Sequence, residues 1–335
     1  PLSPFKTAPR KSLVEQILRD PDVLAAIEDQ AAARSEPREA TAKRARAYAV
    51  EIVPTFSTTT YFRIGARMAR WLSEFLYRVR VAESDRAQLA RIDPKSSVVL
   101  VMNHRSNMDY VLVTHLAARS SALSYAVGEW ARVPVLSTLI RLMGAYFIRR
   151  DSSDPLYRRV LACYVRLATA AGVTQAVFPE GGLSRTGALQ PARLGLLSYI
   201  AQAFDAGSGR DVVFVPVGLN YDRVLEDRVL TGAAATPKGE KPRFVGKPGL
   251  LISFIGRNVL GRLTGTRHRY GYACVSFGTP VSLAEHLRNR GVDLARATPQ
   301  ERSAAMERLG ERLMGGIGRA VPALPVSLVA AALLE

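Results

Sequence analysis

The chain is poor in cysteine and histidine. Two cysteines in 335 residues argue against a disulfide framework and fit a reducing compartment. The four histidines have no Cys or His partner at ligand spacing, so no metal site is expected. Neither a phosphate-cradling P-loop nor a dinucleotide fingerprint occurs, and no cofactor is expected. No apolar run reaches the roughly 18 residues of a membrane span, no secretory signal is visible, and there are no internal repeats. The first residue, Pro1, points to a processed or cloned piece.

Acidic residues are also scarce: 29 Asp+Glu stand against 46 Lys+Arg, for a net charge of +17. Such a balance suits nucleic acid, an anionic membrane surface, or acidic substrates and carrier proteins. The charge is spread through helical stretches and interleaved with apolar residues, which favours an anionic membrane surface. No interleaved aromatic platform for single strands is present, and no nucleic-acid partner is expected. The 335 residues allow one large domain plus a smaller one, and an apolar content of 48% is enough for a sizeable core.

Residues 1–92 read as a helical domain. Leu13, Ile17 and Leu18 begin a helix, Asp20-Pro21-Asp22 interrupts it, and Val23 to Ala33 resumes it. Glu36 to Val53 is a further helical stretch stopped by Pro54. Ser57 to Thr60 then offers N-caps. Ile64, Met68, Trp71, Leu72, Phe75 and Val79 recur at helical spacing beside Arg63, Arg67, Arg70 and Arg78. This is either an interfacial helix or one packed on the main domain with a solvated basic face. Residues 93–320 alternate strand and helix patterns, which predicts an α/β domain with a mostly parallel or mixed central sheet flanked by helices. Within it, residues 231–269 hold eight Lys/Arg and one Glu and read as a basic excursion that meets membrane, an acidic partner or only solvent. A helix is expected near Pro299–Met314, and residues 321–335 form an apolar C-terminal segment.

Four blocks carry chemistry. The buried-strand pattern Val98-Val99-Leu100-Val101-Met102 breaks into Asn103-His104-Arg105-Ser106-Asn107-Met108-Asp109. Ligands bind at such strand ends in α/β sheets. A histidine there can act as a general base, and a carboxylate beside it can orient it. If a helix starts after His104, its first turn brings free backbone N–H groups to both side chains. Gly144 to Arg150 is the second block, ending in Arg149 and Arg150. The third is Val177-Phe178-Pro179-Glu180-Gly181-Gly182-Leu183-Ser184-Arg185-Thr186-Gly187, and the fourth is the run around Val215-Pro216. Arginine presents a planar fork that matches phosphate oxygens. Arg149, Arg185 and Arg193 are the first candidates to hold an anion, with Arg105 and Arg150 second. Gly181 and Gly182 either admit a substrate close to the main chain or only make a turn. Pro216 reads as shaping a strand end. Cys163 and Cys274 read as small core residues, and His115, His268 and His286 have no catalytic setting.

In this order the blocks resemble those of the glycerol-phosphate acyltransferases, most closely the membrane-bound bacterial glycerol-3-phosphate acyltransferases and their dihydroxyacetone-phosphate acyltransferase relatives. The resemblance runs from about Asp93 to about Leu283, with weaker likeness around Leu18 to Val23. It implies an acyltransferase domain with His104 as general base and Asp109 orienting it. Arg105, Arg149, Glu180, Gly181, Gly182, Ser184, Arg185 and Arg193 would then contact substrate. Glu180 would bind glycerol hydroxyls, an internal pair with Arg185 being the alternative. Two positions depart from the pattern: Leu183 stands where relatives usually carry Arg, and Arg193 where they often carry Lys. The implied reaction moves a fatty acyl group from acyl-CoA or acyl-carrier protein to glycerol 3-phosphate, giving lysophosphatidic acid, at the cytoplasmic face of the cell membrane as a peripheral or monotopic protein. Dihydroxyacetone phosphate or lysophosphatidic acid is the alternative acceptor. From another class, the rival reading is a non-catalytic basic membrane-binding protein.

Overall fold

The computed structural model describes residues 9–57, 60–82, 89–117, 123–127, 141–149, 153–184, 186–226, 261, 264 and 269–334. The elements run α1 (Arg10–Leu18), α2 (Pro21–Arg34), α3 (Arg38–Ile52), a π-helical turn (Thr60–Gly65), α4 (Ala66–Leu76), β1 (Arg78–Val81), β2 (Ser97–Met102), α5 (Met108–Ala117), β3 (Ser124–Val127), β4 (Tyr146–Phe147), α6 (Pro155–Ala170), β5 (Gln175–Val177), α7 (Gly195–Ala201), β6 (Val212–Tyr221), β7 (Tyr272–Phe277), β8 (Val281–Ser282), α8 (Leu283–Arg288), α9 (Pro299–Ala320) and α10 (Pro325–Leu334).

The eight strands form one mixed sheet in the order β1-β7-β6-β2-β5-β3-β4, with β8 also on β6. Strands β6, β2, β5, β3 and β4 pair in parallel, β7 and β8 run antiparallel to β6, and β1 is parallel to β7. Strand β2 lies between β5 and β6 with every residue buried. That is why Val98 to Met102 is apolar without alternation: a parallel strand is covered on both faces. Its pleat divides the core in two. Val99 and Val101 pack with α1, α2, α3, α6, α7 and α9 on one face. Val98, Leu100 and Met102 pack with α5 and the end of α4 on the other.

Polar residues set the helix boundaries. Asp20 caps α2, its Oδ1 accepting from the Asp22 N–H at 3.1 Å, with Pro21 in the first turn. Proline fits there because it lacks an N–H that the helix would not use. Thr298 and Glu301 form a reciprocal capping box at the start of α9.

Four expectations are corrected. The segment before residue 93 is not helical throughout, because α4 ends at Leu76 and Val79 lies on β1, an edge strand of the main sheet. Its sequence Arg78-Val79-Arg80-Val81 alternates with period two, the pattern of a half-buried strand. Helices α1 to α3 do not form a separate body: Val14, Ile17, Val23, Ile27 and Ile52 belong to the same core as Val99 and Val160. Pro216 is not at a strand end but inside β6, paired with Val101. It falls where β6 changes partner from β8, at Val213 and Phe214, to β7, from Val217 onward. A residue without an N–H is tolerated at such an interruption. Finally, α9 continues past Met314 to Ala320, docking Leu309, Leu313 and Ile317 in the core. The basic excursion, apart from residues 261, 264 and 269, lies outside the described residues.

Candidate active site

Strand β2 delivers His104 to the C-terminal edge of the parallel strands, and α5 starts four residues later. The His104 Nδ1 lies 2.9 Å from the Asp109 Oδ2, with both side chains buried, at 1% and 0% exposure. The same carboxylate oxygen accepts from the Arg105 N–H at 2.7 Å and the Ser106 N–H at 3.0 Å. Asp109 sits in the first turn of α5, where the free N–H groups and the helix dipole favour negative charge. An ionised carboxylate only accepts hydrogen bonds, so Nδ1 carries the proton and Nε2 presents its lone pair. Nε2 is buried and has no hydrogen-bond partner among the described residues.

The loop after β5 holds His104 from the other side. The Phe178 ring stacks on the imidazole, with centroids 4.2 Å apart, and Tyr110 meets it edge-on at 5.4 Å. The His104 N–H donates to the Glu180 Oε1 at 3.0 Å, and the His104 carbonyl accepts from the Ser184 N–H at 2.9 Å. The Glu180 Oε2 accepts from the Gln190 N–H at 3.1 Å. Both main-chain groups of the histidine are therefore tied to the third sequence block. The Ser184 hydroxyl donates to the Ala188 carbonyl at 2.8 Å and so closes its own loop.

Gly181 has φ +71°, and a Cβ there would lie 2.6 Å from Arg193 Cδ. Arginine 193 crosses directly over that glycine, with its N–H on the Pro179 carbonyl at 2.8 Å. Its side chain is exposed and forms no ion pair among the described residues. Gly182 and Leu183 follow in the same loop, half-buried. Arg105 reaches Asn220 Oδ1 at 3.4 Å and packs against Gly187. The structure thus brings His104, Arg105, Asp109, Glu180, Gly181, Ser184 and Arg193 together on two adjoining loops, with Gly182 next to Gly181 in the second.

Arg149 is placed differently. Its guanidinium forks onto Glu51 of α3, with contacts of 3.1 and 2.7 Å, and lies over the rings of Tyr48 and Tyr157. It follows β4, at the far edge of the sheet from β6. In this arrangement the fork is committed to a carboxylate of the N-terminal helices. Arg150 and Arg185 lie outside the described residues, as does His268.

Five further residues shape the site. The Tyr221 hydroxyl, at the end of β6, donates to the Asp109 Oδ1 at 2.6 Å. Burial first, then the charge of Asp109, holds this phenol well above its ordinary value of 10. Glu226 accepts from the Ser106 hydroxyl at 2.7 Å and the Asn107 N–H at 3.0 Å, at the start of α5. Asn103 bridges to the Leu219 main chain in both directions, at 2.9 and 2.8 Å. Asn220 ties the Pro322 carbonyl to the site at 2.8 Å. Phe178 is the fifth, as the stacking partner. Asn103 and Phe178 lie within the first and third sequence blocks, and Asn220 and Tyr221 follow the apolar run of the fourth, whereas nothing in the sequence marks Glu226.

Elsewhere, Cys163 is a core residue, buried and with its thiol pushed up to about 12, chiefly by burial, whereas Cys274 on β7 is only half-buried and belongs to neither core cluster. His286 is buried in α8, and His115 lies on α5. Among the described residues, no group of three His, Cys, Asp or Glu could hold a metal ion.

An α/β sheet with a buried His–Asp dyad at its C-terminal edge suits general-base chemistry, and residues 78–220 match the acyltransferase family model. Residues 258–335 match the glycerol-3-phosphate acyltransferase C-terminal region. A glycerol-3-phosphate acyltransferase of Pseudomonas syringae pv. syringae is 32% identical over 338 residues, covering 97% of this chain and 38% of that protein. One of Pseudomonas fluorescens is 33% identical over 336 residues, with the same coverage. Over nearly its whole length the chain is similar to glycerol-3-phosphate acyltransferases. It spans about two fifths of the length of the curated relatives it matches. Among solved structures, the 1-acyl-sn-glycerophosphate (LPA) acyltransferase PlsC from Thermotoga maritima has a TM-score of 0.42 and 17% identity, over 78% of this chain and 80% of that one.

Proposed function

We propose that this chain transfers a fatty acyl group from a thioester to the primary hydroxyl of glycerol 3-phosphate, giving lysophosphatidic acid. One observation carries the reading: the buried His104 is held by Asp109 in the tautomer that leaves Nε2 free to accept a proton. An alcohol is a poor nucleophile until a base takes its proton. In this scheme Nε2 removes the hydroxyl proton as the oxygen attacks the thioester carbonyl. Asp109 stabilises the imidazolium that forms. The tetrahedral intermediate then collapses, breaking the carbon–sulfur bond, and the imidazolium returns its proton to the departing thiolate. No acyl-enzyme intermediate is required.

Arg193, Arg105 and Arg185 are the candidates for the acceptor phosphate. Arg193 is favoured because it is exposed and lies against the same loop that grips His104. Arg149 would have to leave Glu51 to take part. Acyl-CoA and acyl-carrier protein are both anionic, and the net charge of +17 would steer either donor.

We further propose that the chain works against an anionic membrane at the cytoplasmic face. Ile64, Met68 and Trp71 are about half exposed, on a turn and helix that also present Arg63, Arg67 and Arg70. Leu72, Phe75 and Leu76 from the same helix pack inward, so the stripe divides between core and solvent. Exposed apolar side chains rimmed by cations suit insertion among headgroups. No described helix alone is long and apolar enough to cross a membrane.

The test is product analysis on the purified chain with anionic vesicles and palmitoyl-CoA or palmitoyl-carrier protein. Glycerol 3-phosphate, dihydroxyacetone phosphate and lysophosphatidic acid are offered separately. Lysophosphatidic acid formed from glycerol 3-phosphate as the preferred acceptor is the expected result. Preference for another acceptor moves the reaction step and keeps the mechanism; no transfer with any pair, in folded protein, overturns the proposal.

A further inference from the structure

Tyr221 belongs to none of the four sequence blocks that carry the family resemblance, yet it completes the environment of the dyad. Asp109 receives four donors: the His104 Nδ1–H, the Arg105 and Ser106 N–H groups, and the Tyr221 hydroxyl. The first three converge on Oδ2. Among the described residues Tyr221 alone occupies Oδ1, at 2.6 Å, the shortest of the four. It comes from β6, 112 residues away, whereas the other three donors lie within five residues of Asp109. Its ring is buried and packs against Tyr77, with centroids 5.2 Å apart.

We propose that Tyr221 is a positioning residue that tunes His104 through Asp109, setting how strongly the carboxylate attracts the imidazole proton. The inference rests on the assignment of His104 as the base. A hydrogen bond to one carboxylate oxygen draws charge from the other and makes the carboxylate a weaker partner for imidazolium. Tyr221 therefore weakens the hold of the carboxylate on the imidazole proton, which favours the neutral ring that a base requires. The phenol stays protonated across the working range, because burial and Asp109 both oppose its ionisation, so the donor is permanent.

The other groups around the dyad are fixed elsewhere. Glu180 is held by the main-chain N–H groups of His104 and Gln190. Glu226 is held by Ser106 and Asn107. Arg105 points to Asn220. Tyr77 donates to the Arg223 carbonyl at 2.9 Å, and Tyr110 contacts the imidazole by its ring edge.

The experiment is a pH titration of the His104 ring by NMR on the full chain labelled at its histidines, its signal assigned with His104→Ala. Tyr221→Phe keeps the ring and its packing and deletes one hydroxyl. The His104 midpoint should rise by about half a unit, since one unit represents about 1.4 kcal/mol of differential stabilisation. Placing 3-fluorotyrosine at position 221 makes a more acidic, stronger donor and should move the midpoint down. Opposite shifts from these near-isosteric changes are not expected of a residue that only packs. In turnover, the acid limb of kcat/KM should follow the same directions, with KM for the acceptor changed little. Midpoints that stay put in both variants overturn the proposal. If Tyr221→Phe does not fold, the fluorotyrosine protein decides alone. Ring titration needs no substrate, so it tests Tyr221 even if the chain transfers no acyl group.

Discussion

Replacing Glu180 with glutamine tests whether this residue holds the acceptor or holds the catalytic loop. Its carboxylate is 6% exposed and accepts one backbone N–H on each oxygen, from His104 and Gln190. Each is a charge-assisted bond worth about 1.5–3 kcal/mol. In Glu180→Gln one oxygen still accepts, as a neutral bond of about 0.5–1.5 kcal/mol. The amide NH2 must then face the other N–H, leaving a buried donor without a partner. The expected loss is about 2–4 kcal/mol of stability. It would appear as a lower urea midpoint with an unchanged slope. Because one of the two bonds positions His104, kcat should fall by at least about tenfold, the equivalent of 1.4 kcal/mol. KM for glycerol 3-phosphate should change less. A loss below about 0.5 kcal/mol, joined to a large rise in KM with kcat intact, would refute this reasoning. That outcome would return Glu180 to the role of binding glycerol hydroxyls.

Three other outcomes follow from the structure. Gly218→Ala puts a Cβ 2.3 Å from the backbone of Ala320, so α9 cannot seat on β6, and thermal unfolding should show a loss of at least about 2 kcal/mol. Burial lowers the pKa of His286 from its ordinary 6.5; the unfolded chain therefore binds the proton first, and stability falls as pH drops from about 6.5 towards the folded value. Urea titrations should show that fall, at no more than about 1.4 kcal/mol per pH unit from this one group, and His286→Gln should remove its share. Met68→Glu with Trp71→Glu should weaken binding to anionic vesicles in a flotation assay at least about tenfold and leave the melting temperature nearly unchanged, whereas undiminished flotation would exclude this face as the contact.

The dyad was legible because its pattern is local. A fully apolar strand ending in His104, with Asp109 five residues on, needs only a strand–loop–helix turn to bring both side chains to the same N–H groups. The core of β2 was legible for a similar reason, since burial on both faces removes alternation. Long-range partners were not. Glu180, Tyr221 and Glu226 reach the first block across 76, 112 and 120 residues, and sheet order, not sequence spacing, decides those meetings. Arg149 illustrates the same limit: a strand-end arginine suits an anion, and only the fold reveals that Glu51 of α3 supplies a carboxylate within reach. Helical periodicity also misled at Val79, whose spacing continues that of α4 while its neighbours already alternate as a strand. Pro216 read as a strand end because the partner switch that tolerates it depends on β7 and β8, about 60 residues further on.

The most direct test of the central claim compares the purified chain with His104→Ala in the rate of palmitoyl transfer from CoA to glycerol 3-phosphate, at matched circular dichroism and melting temperature. A general base contributes about 10²–10⁴-fold, so the account predicts a loss of that size with vesicle binding intact. A variant that is folded and retains its rate within a factor of about three would contradict the assignment of His104 as the base.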